Sequence, residues 1–75
     1  MESHEHAEIE SLLDADRELR ELWDDHLTFE RQLTALDALS HLSPHEEMER
    51  KQLQKLKLAG KDRIAGILAR HRRPA

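Results

Sequence analysis

Six histidines are the residues of this sequence whose chemistry first suggests a metal site. His4 and His6 lie two residues apart, a spacing that directs two side chains to different faces of a helix. His41 and His45 have the four-residue spacing of a pair on one helix face, but a predicted helix break lies between them. A metal site needs about three converging ligands with ordered hydrogen-bond partners behind them. We therefore expect no metal ligands in this chain.

Adjacent carboxylates are the second candidate for chemistry. Asp24 and Asp25 could exchange protons with a substrate, but the sequence has no cysteine and offers no nucleophile or glycine-rich loop beside them. A solvated helix face is the simpler explanation of two neighbouring aspartates. We expect a protein that is not an enzyme, with no catalytic residues and no cofactor.

The second half of the chain is basic and could contact phosphate groups. Residues 1–43 carry twelve acidic and three basic residues, whereas residues 44–75 carry four acidic and nine basic ones. Rows of lysine and arginine bind nucleic acids through their phosphates, so nucleic-acid binding is the alternative function. The net charge of −4 and the presence of only one Trp and one Phe for base stacking oppose it. We expect neither nucleic acid nor a membrane to be the partner.

The composition predicts that all these residues lie on helices. Leucine, alanine, glutamate, lysine and arginine dominate the composition, and valine is absent. The clearest break is Ser43-Pro44, because Ser43 and Glu46 have the spacing of a capping box and proline suits the first helical turn. The sequence therefore predicts a single all-α domain over residues 1–75. Its first helix covers about 4–40, its turn 41–43 and its second helix about 44–72.

Each predicted helix carries one stripe of apolar residues at alternating spacings of three and four. A linker of a few residues between two long helices forces an antiparallel hairpin, in which the acidic first helix lies beside the basic second one. We predict that the two stripes form the seam of a coiled-coil-like hairpin. The predicted seam consists of Leu12, Leu19, Leu22, His26, Phe29, Leu33, Leu36, Leu53, Leu56, Ile64 and Ile67.

His26 is the one ionisable residue of the first-helix stripe. We expect it to be a core histidine that is satisfied by hydrogen bonding and lies near Lys57 and Leu58. Protonation below about pH 6 would then loosen the seam.

A second apolar set lies away from the predicted seam. Two helices can bury only one stripe each, and a chain of this size builds little core. We therefore expect this set to cover another helix, either in a four-helix homodimer or on a helical protein partner. Scattered surface apolar residues are the alternative. The predicted association face consists of Ile9, Leu13, Trp23, Leu27 and Leu58, with Trp23 as a candidate interface anchor.

Two segments resemble the YdcH-like family, which comprises small bacterial proteins of unknown function. Residues 26–33 show the pattern H-x-x-[apolar]-E-x-x-L, and residues 57–64 show K-L-x-x-K-D-x-I. The resemblance covers roughly residues 9–70. It implies a helical hairpin with a coiled-coil tendency, no assigned activity and no known cofactor. Gly60 departs from the larger apolar residue that the resemblance leads us to expect at that position.

The chain carries no apolar run that approaches the roughly 20 residues of a membrane span. Its first residues are acidic, which opposes a secretory signal with a positively charged start. We expect a cytoplasmic protein.

Overall fold

The computed structural model describes residues 3–72, which form three helices. They are α1 (Ser3–Leu12), α2 (Arg17–Asp37) and α3 (Pro44–Arg72). No strand occurs between residues 3 and 72, so the predicted all-α class is confirmed. Within the same range, no helix combines the length and the apolar character needed to cross a membrane.

The start of α3 is fixed by the capping box that the sequence predicted. The Ser43 amide donates a hydrogen bond to Oε1 of Glu46 at 2.9 Å, and the Glu46 amide donates one to Oγ of Ser43 at 3.2 Å. Pro44 is the first helical residue, where its missing N–H has no cost. The hydrogen bond from the Ser43 backbone lowers the pKa of Glu46 below its ordinary value.

The single first helix predicted over residues 4–40 is wrong, because the chain leaves the helical conformation between Leu12 and Arg17. Asp16 is extended (φ −132°, ψ 103°), and its Oδ1 accepts a hydrogen bond from the Leu19 amide at 3.0 Å. Aspartate is a preferred N-cap because its side chain satisfies an amide that has no partner inside the helix. The cap starts α2, and the turn at residues 13–15 before it lets Ile9 of α1 enter the core.

Helices α2 and α3 run in opposite directions along each other, as successive ion pairs between them show. A step toward the N-terminus of α2 corresponds to a step toward the C-terminus of α3. The pairs are Asp37 with Arg50, Glu30 with Lys57 and Glu18 with Arg70, at N–O distances of 2.8, 3.5 and 3.7 Å. The acidic and basic halves of the sequence therefore lie side by side.

The core consists of two clusters along this helix pair. All three helices contribute to the first cluster, whereas α2 and α3 alone form the buried part of the second. Because α1 covers only one end of the pair, the rest of α2 and α3 is packed on fewer sides. The first cluster contains Ile9, Leu19, Trp23, Ile64, Ile67 and Leu68, and the second contains Leu33, Leu36 and Leu53.

Candidate functional site

Most of the residues predicted for the seam lie between the helices. Seven are buried and three are half-buried, whereas Leu56 remains 41% exposed, so its assignment to the seam is wrong. Leu56 lies at the edge of a groove that no other described element covers. The buried residues are Leu19, His26, Leu33, Leu36, Leu53, Ile64 and Ile67, and the half-buried ones are Leu12, Leu22 and Phe29.

The predicted association face is not one surface. Ile9 is 0% exposed and Trp23 6% exposed, so the prediction that these two face outward is wrong. The turn before Asp16 brings α1 against α2 and α3, and this contact buries both residues. Leu13 and Leu27 are half-buried against the same cluster, and of the predicted face Leu58 alone is exposed.

A largely apolar surface indentation lies between α2 and α3. We call it the α2–α3 groove, with a volume of about 180 Å³. Its apolar wall is formed by Leu22 and Phe29 of α2 and by Leu56, Ala59 and Gly60 of α3. Beyond the local helix backbone, a Cβ atom built on Gly60 would meet no atom within 4 Å, so this part of the groove is open. Side chains of a further helix fit a surface of this kind.

Charged residues of opposite sign border the α2–α3 groove. Asp25 lines it from α2, and Lys57 and Arg63 line it from α3. Lys57 is already paired with Glu30. Asp25 and Arg63 are both exposed, and neither forms an ion pair within 4.0 Å with another residue of the described range 3–72.

His26 lies beneath the groove and is 2% exposed. Its Nε2 lies 3.1 Å from Oε1 of Glu30, while its Nδ1 is buried without a hydrogen-bond partner. The neutral ring with hydrogen on Nε2 fits this environment, because it donates to Glu30 and leaves no N–H unpaired at Nδ1. Burial lowers the pKa of His26, and this effect outweighs the opposing charge of Glu30; Lys57 acts in the same direction as burial.

An aromatic stack joins α1 to α2 on the side of Trp23. The His6 ring meets the Trp23 ring edge to face with centroids 5.1 Å apart, and Trp23 stacks on His26 at 5.3 Å. Such pairs add to the free energy gained from burying the rings. Trp23 therefore anchors α1 within the chain and is not an exposed interface anchor.

Polar contacts between the ends of the fold hold α1 and the α2 start against the end of α3. Nε of Arg72 donates to Oε2 of Glu8 at 2.8 Å, and a second guanidinium nitrogen reaches the other carboxylate oxygen. Nε2 of His71 lies 2.9 Å from Oδ2 of Asp16. Hydrogen bonds from these partners lower the pKa of Glu8 and of Asp16. The Glu8–Arg72 pair is one contact of the acidic first half of the chain with its basic second half, and the charged residues Glu2 and Arg73 of the same halves lie outside the described residues.

Residues 3–72 contain no group of three or more histidine, aspartate or glutamate side chains arranged to hold a metal ion.

One core residue, Leu68, was missed by the sequence analysis. It is 1% exposed and belongs to the cluster that α1 completes. Its position directly after Ile67 places it beside the seam stripe, so only the packing of α1 reveals it.

Comparison of the chain with family models, with curated proteins and with solved structures finds no significant match. The resemblance to the YdcH-like family therefore remains a prediction from the two segments that carry it.

Proposed function

We propose that this protein is a non-enzymatic interaction module built on an antiparallel helical hairpin. In this proposal α2 and α3 form the hairpin, α1 braces one end of it, and the α2–α3 groove binds a helix of a protein partner or of a second copy. The observation that carries the proposal is the exposed leucine, Leu56, beside half-buried Leu22 and Phe29 in one continuous apolar groove. The resemblance to small helical-hairpin proteins agrees with this reading.

The size of the chain supports an interaction role. A domain of 75 residues gains little net stability from its own core, so burying further apolar surface against a partner gives a large relative gain. The exposed large apolar residues of α3 are Leu56, Leu58 and Met48, and only Leu56 lies in the groove. Leu58 and Met48 are single exposed residues, which are common on protein surfaces.

The charge arrangement favours a protein partner over nucleic acid. Half of the eight basic residues of α3 already face carboxylates of α1 or α2 in ion pairs. A cation held by a carboxylate contributes less to phosphate binding, because it must first lose that partner. The paired residues are Arg50, Lys57, Arg70 and Arg72.

Site-specific photo-crosslinking in cells tests the proposal. A photoreactive amino acid replaces Ala59, which is exposed and lines the groove, and a matched variant carries it at Ala65, which is exposed on the same helix but outside the groove. We expect a discrete crosslinked protein species from position 59 and none from position 65. Mass spectrometry of the adduct identifies the partner chain and the crosslinked segment.

Two outcomes contradict the proposal. One is the absence of any adduct at position 59 while the variant remains folded by circular dichroism. The other is an equal, heterogeneous set of adducts at positions 59 and 65, since this indicates random collisions and not a defined surface.

A further inference from the structure

We propose that the helix pair seated on the α2–α3 groove belongs to a second copy of this chain, and that Asp25 of each copy faces Arg63 of the other. The inference rests on the proposed function and names its partner. The arrangement is a four-helix dimer with two-fold symmetry, in which α2 of one copy lies over α3 of the other. Three observations lead to it. Asp25 and Arg63 lie at the same level along the hairpin, α2 and α3 carry net charges of opposite sign, and the α3 wall of the groove is open at Gly60.

Asp25 and Arg63 lie at the same level along the hairpin. Glu30 of α2 is paired with Lys57 of α3. Asp25 precedes Glu30 by five residues, and Arg63 follows Lys57 by six, so the opposite directions of the helices bring both charges to one cross-section. They border the same groove from opposite sides, and each lacks an ion-pair partner in the described chain.

Two grooves can face each other with two-fold symmetry in two ways. If the axis runs along the helices, α2 of one copy lies over α3 of the other. Each residue then has the same position along the helix axis in both copies. If the axis runs across the helices, α2 lies over α2 and α3 over α3. Both arrangements are isologous, since each copy uses the same patch.

The charges select the first arrangement. Helix α2 carries six acidic and three basic residues, whereas α3 carries four acidic and eight basic ones within 44–72. Placing α2 over α3 of the second copy therefore opposes unlike charges, and it brings Asp25 to Arg63 twice in each dimer. The second arrangement stacks like-charged helices, which costs free energy and disfavours that dimer.

Small residues on the α3 wall allow the second copy to come close. Ala59 and Gly60 present little or no side chain, and a Cβ at Gly60 would meet no atom within 4 Å beyond the local helix backbone. The projecting Leu56 side chain, 41% exposed, supplies apolar surface beside them. A ridge of large residues next to a low wall of small ones is the shape that interlocks with a copy of itself turned by 180°.

A charge-reversal cycle measured by sedimentation velocity tests the inference. The proteins are the wild type, D25K, R63E and the double variant D25K/R63E, with D24K as a matched control because Asp24 is exposed on α2 and does not line the groove. We expect a dimer in the wild type and in D24K. Each single reversal should weaken dimerisation about tenfold, because two favourable pairs become two repulsions, and the double reversal should restore most of the affinity.

The outcomes separate this inference from the proposed function. The pairing of Asp25 with Arg63 is overturned if both single reversals dimerise as tightly as the wild type, or if the double variant dimerises no more tightly than the single ones. Either result leaves the groove as an interaction site. A wild type that stays monomeric to about 0.5 mM overturns the second copy as occupant, and a heterologous adduct at position 59 then still supports the proposed function. Circular dichroism of each variant at low concentration establishes that the monomers remain folded.

Discussion

Nε2 of His26 lies 3.1 Å from Oε1 of Glu30, while Nδ1 of the same ring is buried with no partner among the described residues. Glu30 also pairs with Lys57 of α3 at 3.5 Å, so one carboxylate joins the buried ring of α2 to the neighbouring helix. A protonated ring would carry an N–H at Nδ1 with nothing to accept it, and a buried unpaired donor is costly. The stability of the α2–α3 pair should therefore depend on the protonation state of this ring.

We predict that acidification destabilises the protein through His26. Burial lowers the pKa of His26 in the folded state below its ordinary value of 6.5, so the unfolded chain binds the proton more readily. The stability from the neutral ring is complete above pH 6.5 and decreases as the pH falls through 6.5 toward the folded-state pKa. Thermal melting at pH 7.5 and pH 5.0 checks this. Between these pH values the Tm of H26L should fall less than that of the wild type. An unchanged Tm of the wild type between these pH values would falsify it.

Removal of the Ile9 side chain should detach α1 from the rest of the fold. Ile9 is 0% exposed in the cluster that also holds Trp23 and Ile64, and isoleucine-to-alanine changes at such sites cost about 2–4 kcal/mol. We expect I9A to lower the urea midpoint and to shift Trp23 fluorescence to the red at low urea. The control L58A, at an exposed position, should change the urea midpoint and the Trp23 fluorescence only slightly. Equal behaviour of I9A and L58A contradicts the burial of Ile9.

Asp16 should stabilise the fold mainly as the N-cap of α2. We expect D16A to lower Tm by about 5 °C, because the Leu19 amide loses its acceptor. D16N should lose clearly less, since asparagine caps helices as well as aspartate does, although the charge facing His71 disappears. Differential scanning calorimetry distinguishes the two. If D16N is as unstable as D16A, the charged contact with His71 and not the cap carries the stabilisation.

The two helical glycines should affect folding in the same way, but only Gly60 should affect association. Beyond the local helix backbone, a Cβ at Gly60 or at Gly66 meets no atom within 4 Å, so substitution by alanine should raise the free energy of unfolding by about 0.5–1 kcal/mol at either site. Gly60 lines the α2–α3 groove and Gly66 does not. We therefore expect G60A alone to weaken dimerisation while both variants gain stability at low concentration. Urea titration and sedimentation of the same samples provide the two readouts, and destabilisation of either monomer contradicts the open space.

The helical class and the start of α3 could be predicted because local signals determine them. Ser43 and Glu46 form their hydrogen bonds within one turn, and Pro44 permits only the first positions of a helix. The break before α2 was missed, because the stripe from Leu12 to Leu19 continues across it and no glycine or proline interrupts it. Asp16 followed by Glu18 in the first turn was the available signal, since an acidic cap and an acidic first turn are typical of a helix start.

The error at the helix break caused the errors in the candidate site. With one continuous helix, Ile9 and Trp23 have no element above them and are expected to face outward. With a turn at residues 13–16, α1 covers them and leaves the α2–α3 groove as the exposed apolar surface. Leu68 was missed for the same reason. Positional patterns describe one helix at a time, whereas burial depends on which helices meet.

The most direct test of the central claim compares two leucines of α3 that lie two residues apart. Leu56 lines the groove and is 41% exposed, whereas Leu58 is 60% exposed and lies outside it. We predict that sedimentation equilibrium finds a dimer for the wild type and for L58E, and a monomer for L56E at the same concentrations. A dimer that survives L56E, or one that L58E disrupts equally, would contradict association through the α2–α3 groove.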